Sequence, residues 1–150
     1  MQILSNSQSG RLLIIDDNPD HWAIIQLLLK QQLPNLKTVW LSESQATIAY
    51  LEECMAQNQA LPTLILLDLY LPKRETGLAL LRRIKEANVE YSLIPVVVLS
   101  YSDDETDVEA MYQAGCSSYL VKPITVNGWQ ELIQKIKNYW WDTVTRPHSS

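Results

Sequence analysis

Short apolar runs alternate with longer amphipathic segments along most of the chain. The apolar runs predict buried parallel strands, and they cover residues 12–15, 37–41, 63–67, 95–99 and 118–121. Between and after these runs, apolar residues recur every three or four positions, which predicts helices over 20–33, 44–57, 76–87, 104–114 and 126–143. Five strand–helix units in this order predict an α/β fold, a doubly wound five-stranded parallel sheet with helices on both faces.

The chain ends differ in composition from this alternating region. Residues 1–10 are rich in Ser, Asn and Gln and predict a polar N-terminal tail without the features of a secretion signal. We therefore expect one domain over residues 11–143 and a C-terminal tail over 144–150. A length of 150 residues is enough for one domain with its own core.

Composition and charge exclude several classes of function. The net charge is −5, so we expect no general nucleic-acid surface, because no surplus of basic residues is present to neutralise phosphates. No segment reaches the roughly 18 apolar residues that a membrane span needs. Cys54 and Cys116 lie far apart in the sequence and predict small buried residues rather than a disulfide, which favours a reducing, cytoplasmic setting.

Reactive side chains stand where the predicted strands end. Asp16 and Asp17 follow the first strand, Asp68 the third and Ser100 the fourth, while Lys122 follows the fifth. Ligands of open α/β sheets bind outside the carboxyl ends of the strands, so we expect these residues to converge on one edge.

Three carboxylates on one edge repel one another unless a cation lies among them. Oxygen ligands of high negative charge suit Mg²⁺, and a lysine at the same edge is suited to phosphate oxygens. A carboxylate nucleophile, Mg²⁺ and a lysine together are the equipment for transferring a phosphoryl group to an aspartate. The pattern therefore predicts phosphoryl transfer with Mg²⁺ as cofactor.

Four sequence runs resemble the signature of two-component response-regulator receiver domains. They are Ile15-Asp16-Asp17-Asn18, Leu67-Asp68-Leu69-Tyr70-Leu71-Pro72, Val98-Leu99-Ser100 and Tyr119-Leu120-Val121-Lys122-Pro123. The resemblance extends from about residue 11 to residue 139, and it implies a flavodoxin-like (βα)5 fold. It also implies a non-enzymatic signalling protein that accepts its phosphoryl group from a histidine kinase.

The resemblance assigns a role to each of these positions. It implies that Asp68 is the phosphoacceptor and that Asp17 and Asp16 hold the metal, together with Asp68 and the backbone carbonyl of Tyr70. Lys122 would contact the phosphoryl group, and the bond between Lys122 and Pro123 is cis in the family.

The resemblance also implies a switch. A phosphoryl group adds about 1.5–2 negative charges and three acceptor oxygens. Ser100 would move to donate a hydrogen bond to it, and Tyr119 would turn inward to fill the space that Ser100 leaves. This movement would remodel the surface made by the fourth helix, the fifth strand and the fifth helix.

The sequence departs from the usual receiver pattern after the third and fourth strands. The loop over residues 72–77 is one residue longer than usual, and we expect Gly77 to take a positive φ there. Tyr101 follows Ser100, where most receivers carry a small residue. We expect the Tyr101 ring to act as an access gate to Asp68, with slow phosphorylation by small donors. His21 is predicted to be solvated.

Aromatic residues crowd the last predicted helix. Tyr139, Trp140 and Trp141 cannot all face the core, and aromatic residues are enriched at interfaces, so we expect a homodimer through this end. Stand-alone receivers with such an end resemble those that partner phytochrome-type histidine kinases.

Two alternative functions use related chemistry. A haloacid-dehalogenase-type phosphatase also has an Asp nucleophile, Mg²⁺ and a lysine, but it needs a second acid two residues after the nucleophile, where this chain has Tyr70. We reject that alternative. A pseudo-receiver, which keeps the fold without phosphorylation, stays open at this point, with Tyr101 and the long loop in its favour.

Overall fold

The computed structural model describes residues 10–139, which contain five β-strands and five α-helices. The strands are β1 (Arg11–Ile15), β2 (Lys37–Leu41), β3 (Leu64–Asp68), β4 (Val96–Ser100) and β5 (Ser118–Val121). The α-helices are α1 (Pro19–Gln32), α2 (Ser44–Ala56), α3 (Arg74–Lys85), α4 (Glu105–Gln113) and α5 (Val126–Ile136). A 3₁₀-helix that the sequence pattern did not predict spans Glu90–Leu93.

All strand pairs in the sheet are parallel, and the strand order is β2-β1-β3-β4-β5. This order places the switch of winding direction between β1 and β3, where doubly wound sheets bind their ligands. The predicted fold class is therefore confirmed. None of the helices within residues 10–139 is both long and apolar enough to cross a bilayer.

The two faces of the sheet bury separate hydrophobic cores, because successive side chains of a strand point to opposite faces. On one face, strand residues such as Leu67 and Val98 pack with α2, α3 and α4. On the other face, Leu66 and Val97 pack with α1 and α5. Every residue of β3 and β4 is buried, as expected for strands covered by helices on both sides. The sheet is thus a rigid support for whatever lies at its carboxyl edge.

Side-chain caps fix the starts of three helices. The Asn18 side chain accepts a hydrogen bond from the backbone N–H of Asp20, and Pro19 occupies the first turn of α1. Asp104 caps α4 and Thr125 caps α5 in the same manner. Each cap terminates a loop that leaves the carboxyl edge of the sheet, so the start of each helix has a defined position beside the cleft.

The region after β3 differs from the sequence prediction. Helix α3 starts at Arg74 rather than at residue 76, and Gly77 lies inside it without a positive φ, so that prediction was wrong. Gly77 is needed for close approach instead, because a Cβ built on it would lie 1.9 Å from the carbonyl oxygen of Leu69. Gly115 does take a positive φ, +109°, at the end of α4.

Candidate functional site

A cleft of about 510 Å³ opens at the carboxyl edge of the sheet. Asp68 and Ser100 are the last residues of β3 and β4, while Asp16 and Lys122 follow β1 and β5 directly. All four side chains are buried although they are polar, which is unusual for charged residues unless they are paired. The residues that line the cleft are Asp17, Asn18, His21, Asp68, Tyr70, Tyr101, Ser102 and Lys122.

The predicted convergence of the acidic residues is confirmed. Asp16, Asp17 and Asp68 each offer a carboxylate oxygen, and these oxygens all lie within 4.8 Å of one another. Asp16 and Asp68 are buried, whereas Asp17 is exposed and faces the opening of the cleft. Oxygen donors at this spacing fit a hard divalent cation such as Mg²⁺.

Backbone and side-chain hydrogen bonds hold Asp16 in place. Its Oδ1 accepts a hydrogen bond from the backbone N–H of Asn18 at 2.9 Å. Its carbonyl oxygen accepts one from the Trp40 indole Nε1 at 2.7 Å, and its backbone N–H donates to the carbonyl oxygen of Leu41 at 3.1 Å. The neighbouring strand β2 therefore holds the Asp16 backbone, and the Asn18 N–H orients its carboxylate.

Lys122 crosses the cleft between the two buried carboxylates. Its Nζ lies 3.0 Å from Asp16 Oδ2 and 3.4 Å from Asp68 Oδ1, and the residue is 4% exposed. A buried ammonium at this position offsets part of the negative charge of the acidic cluster. The predicted meeting of acids and lysine from distant parts of the sequence is thus confirmed.

The predicted cis bond between Lys122 and Pro123 was wrong. Within residues 10–139, the cis peptide bond is the one between Leu71 and Pro72. Sheet pairing positions Lys122 instead, because its backbone N–H donates to the Ser100 carbonyl oxygen at 2.7 Å and extends the β4–β5 ladder by one residue. The Lys122–Pro123 bond has the trans form that peptide bonds ordinarily prefer. The paired backbone places the Lys122 side chain within reach of the acids.

Burial dominates the electrostatics of Asp68. The pKa of its carboxyl group is raised to about 7, because desolvation by burial and the charge of Asp16 together outweigh the lowering effect of Lys122. The backbone N–H of Tyr70 donates to Asp68 Oδ1 at 3.3 Å. A cation beside this group would favour its ionised, nucleophilic form.

A short hydrogen-bond path joins the predicted switch residues. The backbone N–H of Ser102 donates to Ser100 Oγ at 3.0 Å, and the Tyr119 hydroxyl donates to the Ser102 carbonyl oxygen at 2.7 Å. Ser100 is buried, and Tyr119 is partly buried against the core. The sequence predicted Ser100 and Tyr119 here but not Ser102, which joins them.

Asp107 organises a polar network that the sequence reasoning missed. It is paired with the Arg74 Nε, and it accepts hydrogen bonds from Ser102 Oγ at 2.7 Å and from the Tyr70 hydroxyl at 3.4 Å. The Ser102 hydrogen bond and the Arg74 contact lower the pKa of Asp107, against an opposing effect of desolvation. Asp107 shares the inward face of α4 with Met111, and a carboxylate on such a face was the signal for a buried partner.

His21 is also a missed site residue. Its side chain is 13% exposed and lies in the cleft, so the prediction of a solvated histidine was wrong. Its Nδ1 lies 3.2 Å from Asp16 Oδ2 and 2.9 Å from Lys122 Nζ. The available signal was position, because His21 lies in the first turn of α1, three residues after Asn18 and four after Asp17.

Two of the remaining predicted residues lie at the edge of the cleft, and Tyr139 lies away from it. Tyr70 and Tyr101 line the cleft, and Tyr101 is 52% exposed. Tyr139 is half-exposed just after α5. Trp140 and Trp141 lie outside the described residues.

Comparison with known proteins agrees with this geometry. The model of the family described as "Response regulator receiver domain" matches residues 12–137. Response regulator Rcp1 from Synechocystis sp. is 34% identical over 137 residues, which is 91% of this chain and 92% of the relative. The probable methanogenesis regulatory protein FilR2 from Methanothrix harundinacea is 32% identical and covers 86% of this chain and 82% of its own length.

Solved structures show the same similarity. The Mn²⁺-bound form of Rcp1 superposes with a TM-score of 0.80 at 34% identity, over 93% of this chain and 99% of the other. The phosphorylated cyanobacterial phytochrome response regulator RcpA gives a TM-score of 0.82 at 30% identity, again over 93% and 99% of the two chains. Fold, buried acidic edge and sequence similarity agree, and the chain therefore belongs to the receiver-domain family of response regulators, which are switched by phosphorylation of an aspartate.

Proposed function

We propose that this chain accepts a phosphoryl group on Asp68 from a histidine kinase, in a reaction that depends on Mg²⁺. The observation that carries the proposal is the set of three carboxylate oxygens within 4.8 Å of one another, with the Lys122 ammonium 3.4 Å from Asp68. Asp16, Asp17, Asp68 and the backbone carbonyl of Tyr70 would hold the ion. The signalling domain spans residues 11–143 and works in the cytoplasm.

The chemistry follows from the positions of these groups. An Asp68 carboxylate oxygen forms a bond to phosphorus while the bond between phosphorus and the kinase histidine nitrogen breaks, and the electron pair returns to that nitrogen. The Lys122 ammonium then donates a hydrogen bond to a phosphoryl oxygen. When bound, Mg²⁺ supplies positive charge to the oxygens of the transferring group.

This role is signalling rather than turnover of a substrate. An aspartate nucleophile with a nearby acid can hydrolyse its own phosphoryl intermediate rapidly, but the residue two positions after Asp68 is Tyr70, which cannot act as a carboxylic acid. Tyr101 acts as an access gate beside the acceptor. We expect the phosphorylated form to persist long enough to be recognised by another protein.

Acetyl phosphate tests the acceptor directly. We expect the mass of the intact protein to rise by one phosphoryl group in the presence of acetyl phosphate and Mg²⁺, and not when a chelator removes the ion. Asp68→Asn should remain unlabelled, while Asp103→Asn, which removes an exposed acid of the β4–α4 loop, should be labelled as the wild type is. Labelling of Asp68→Asn at the wild-type rate would contradict the proposal.

The signal passes from Ser100 to Tyr119. If Ser100 Oγ turns to donate to the phosphoryl group, its bond with the Ser102 N–H changes, and Ser102 also holds the Tyr119 hydroxyl. The path supports a coupled movement of Tyr119 and of the surface formed by α4, β5 and α5.

Beryllofluoride, which mimics a phosphoryl group, separates this coupling from phosphorylation itself. With Mg²⁺ and beryllofluoride, we expect the amide signals of β5 and α4 to shift in the wild type and to shift much less in Ser100→Ala. Thr106→Ala, on the exposed first turn of α4, is the control and should respond as the wild type does. An unchanged response in Ser100→Ala would remove Ser100 from the path.

The partner is a histidine kinase of the phytochrome type. Rcp1 and RcpA support this proposal, since RcpA is described as a phytochrome response regulator and both match nearly their whole length. Phosphotransfer from each histidine kinase of the source cell, with Asp68→Asn as control, identifies the partner. Preferential transfer from a kinase without a light-sensing module would contradict the phytochrome assignment.

The C-terminal aromatic end forms a homodimer contact. Three consecutive aromatic side chains stand at this end, Tyr139, Trp140 and Trp141, and one helix face cannot bury all of them. Aromatic residues are enriched at interfaces, which supports the proposal. We expect Trp140→Ser combined with Trp141→Ser to lower the dimer fraction in sedimentation, and Trp22→Ser to leave it unchanged. Equal dimer fractions in all three proteins would overturn the contact.

A further inference from the structure

The Lys122 ammonium has three hydrogens and three acceptors within reach. Asp16 Oδ2 lies at 3.0 Å, Asp68 Oδ1 at 3.4 Å and His21 Nδ1 at 2.9 Å. A lysine ammonium is only a donor, so His21 Nδ1 accepts from it. Asp16 Oδ2 lies farther from the same nitrogen, at 3.2 Å, and accepts its hydrogen bond from Lys122. The buried lysine is therefore held from three sides, and His21 provides the side that faces the mouth of the cleft.

This assignment fixes the role of the other ring nitrogen. A neutral imidazole that accepts at Nδ1 carries its hydrogen on Nε2. The Tyr101 hydroxyl lies 3.1 Å from Nε2 and accepts that hydrogen. The Asn18 amide nitrogen, 3.4 Å from Nε2, is itself a donor and cannot accept it. His21 thus joins Tyr101, which is outside the sheet on the β4–α4 loop, to Lys122 at the acceptor.

The Tyr101 ring lies across the opening rather than in the core. It packs edge-on against the His21 ring, with ring centroids 5.6 Å apart at 64°, and its centroid lies 5.6 Å from Lys122 Nζ. Tyr101 and His21 both line the cleft that contains Asp68. The two rings therefore lie between bulk solvent and the lysine that reaches the acceptor.

We propose that His21 is a positioning residue that fastens Tyr101 across the mouth of the acceptor cleft, so that a small phosphodonor must break the Tyr101–His21 hydrogen bond to reach Asp68. The proposal rests on the assignment of Asp68 as acceptor, and it adds a residue and a contact to the gate. We call Tyr101, His21 and the hydrogen bond between them the clasp. A kinase domain that displaces Tyr101 through its own contacts bypasses the clasp, whereas a small acyl phosphate has no such contacts.

Kinetics with acetyl phosphate test the clasp. Tyr101→Phe removes the hydroxyl and keeps the ring, and we expect its phosphorylation rate constant to rise about threefold to tenfold, the range that the loss of one hydrogen bond allows. His21→Leu should raise it by a similar factor. The double variant should gain no more than the larger single gain, because both changes break the same contact.

Matched variants separate positioning from a general structural effect. His21→Gln can accept from Lys122 and donate to Tyr101, so we expect it to keep a rate near that of the wild type. Thermal unfolding of every variant shows whether the fold is intact. Multiplied gains in the double variant, or a wild-type rate in Tyr101→Phe, overturn the clasp.

The ¹⁵N signals of the His21 ring test the clasp without any phosphorylation. We expect Nδ1 to show an acceptor-type signal and Nε2 a protonated one, and we expect Tyr101→Phe to shift the Nε2 signal. The chain's other histidine, His148, is the reference. An Nε2 signal that is the same in both proteins overturns the clasp, whatever the kinetics.

The two readouts also separate the clasp from the proposed function. If acetyl phosphate labels neither the wild type nor any variant, the acceptor assignment fails and the ¹⁵N signals alone decide whether the clasp exists. If the wild type is labelled at Asp68 and Tyr101→Phe changes neither the rate nor the Nε2 signal, the acceptor assignment stands and the clasp is refuted.

Discussion

The central strand β3 and the edge strand β5 carry different parts of the site on different kinds of support. All five residues of β3 are buried, and the strand pairs with β1 on one side and β4 on the other. The four residues of β5 are partly or fully exposed, and within the described chain β5 pairs only with β4. Asp68 is the last residue of β3, Tyr119 lies in β5, and Lys122 follows β5 directly.

The difference suggests how a small chemical change is read at a distance. A nucleophile must keep its position relative to the metal ligands, and a strand covered on both faces and both edges provides that rigidity. A switch residue must have two positions of similar free energy, which an edge strand allows more easily. In the proposed function, the acceptor Asp68 lies on the strand that is held from all sides, and the readout residue Tyr119 lies on the strand that is not.

The largest expected effect is on the free energy of unfolding, when one leucine on each strand is replaced by alanine. Leu66 of β3 is 1% exposed, and Leu120 of β5 is partly exposed against the same core. We expect Leu66→Ala to lower the free energy of unfolding by about 2–5 kcal/mol through loss of burial and a residual cavity. Leu120→Ala should cost less than half as much. Urea unfolding measures both, and equal costs would show that the two strands are equally supported.

The next effect concerns the close contact that supports the acceptor loop. A Cβ at Gly77 would meet the Leu69 carbonyl one residue after the acceptor, and backbone atoms cannot move aside easily. We expect Gly77→Ala to destabilise the protein by about 1–3 kcal/mol, although alanine is the better helix former. The control is Ala79→Gly at an exposed position of the same helix, where glycine should cost about 1 kcal/mol. A stabilised Gly77→Ala protein would contradict the close approach.

The smallest effect on stability comes from one hydroxyl group on the edge strand. We expect Tyr119→Phe to cost about 0.5–1.5 kcal/mol, since it removes the bond to the Ser102 carbonyl. Tyr91→Phe is the matched control, because it removes a hydrogen bond from the Tyr91 hydroxyl to Glu52 of α2, and neither residue lines the cleft. Urea unfolding should show similar losses of free energy of unfolding in Tyr119→Phe and Tyr91→Phe. Only Tyr119→Phe should change the response of β5 to beryllofluoride. Equal responses in the two variants would remove the Tyr119 hydroxyl from the signal path.

The sequence predicted what depends on periodicity and on strand ends. Alternating apolar runs identified all five strands and all five helices, and the polar residues at the strand ends identified Asp16, Asp17, Asp68 and Lys122. These predictions succeed because parallel strands end on a common edge whatever the details of the loops.

The missed features depend on contacts between segments that are distant in sequence. His21 appeared solvated because its partners, Lys122 and Tyr101, are 101 and 80 residues away. Asp107 was not singled out because its partner Arg74 lies 33 residues away, at the start of α3. The predicted cis bond came from the family pattern, whereas the observed position of Lys122 is set by pairing with Ser100.

Amide hydrogen exchange with and without Mg²⁺ and beryllofluoride tests the central claim most directly. The claim is that charge added at Asp68 on the rigid central strand is read out at the edge strand. We predict that the amides of β3 keep their protection, while those of β5 and the start of α4 change in the wild type and stay unchanged in Asp68→Asn. Equal changes in β3 and β5, or the same changes in Asp68→Asn, would contradict the account.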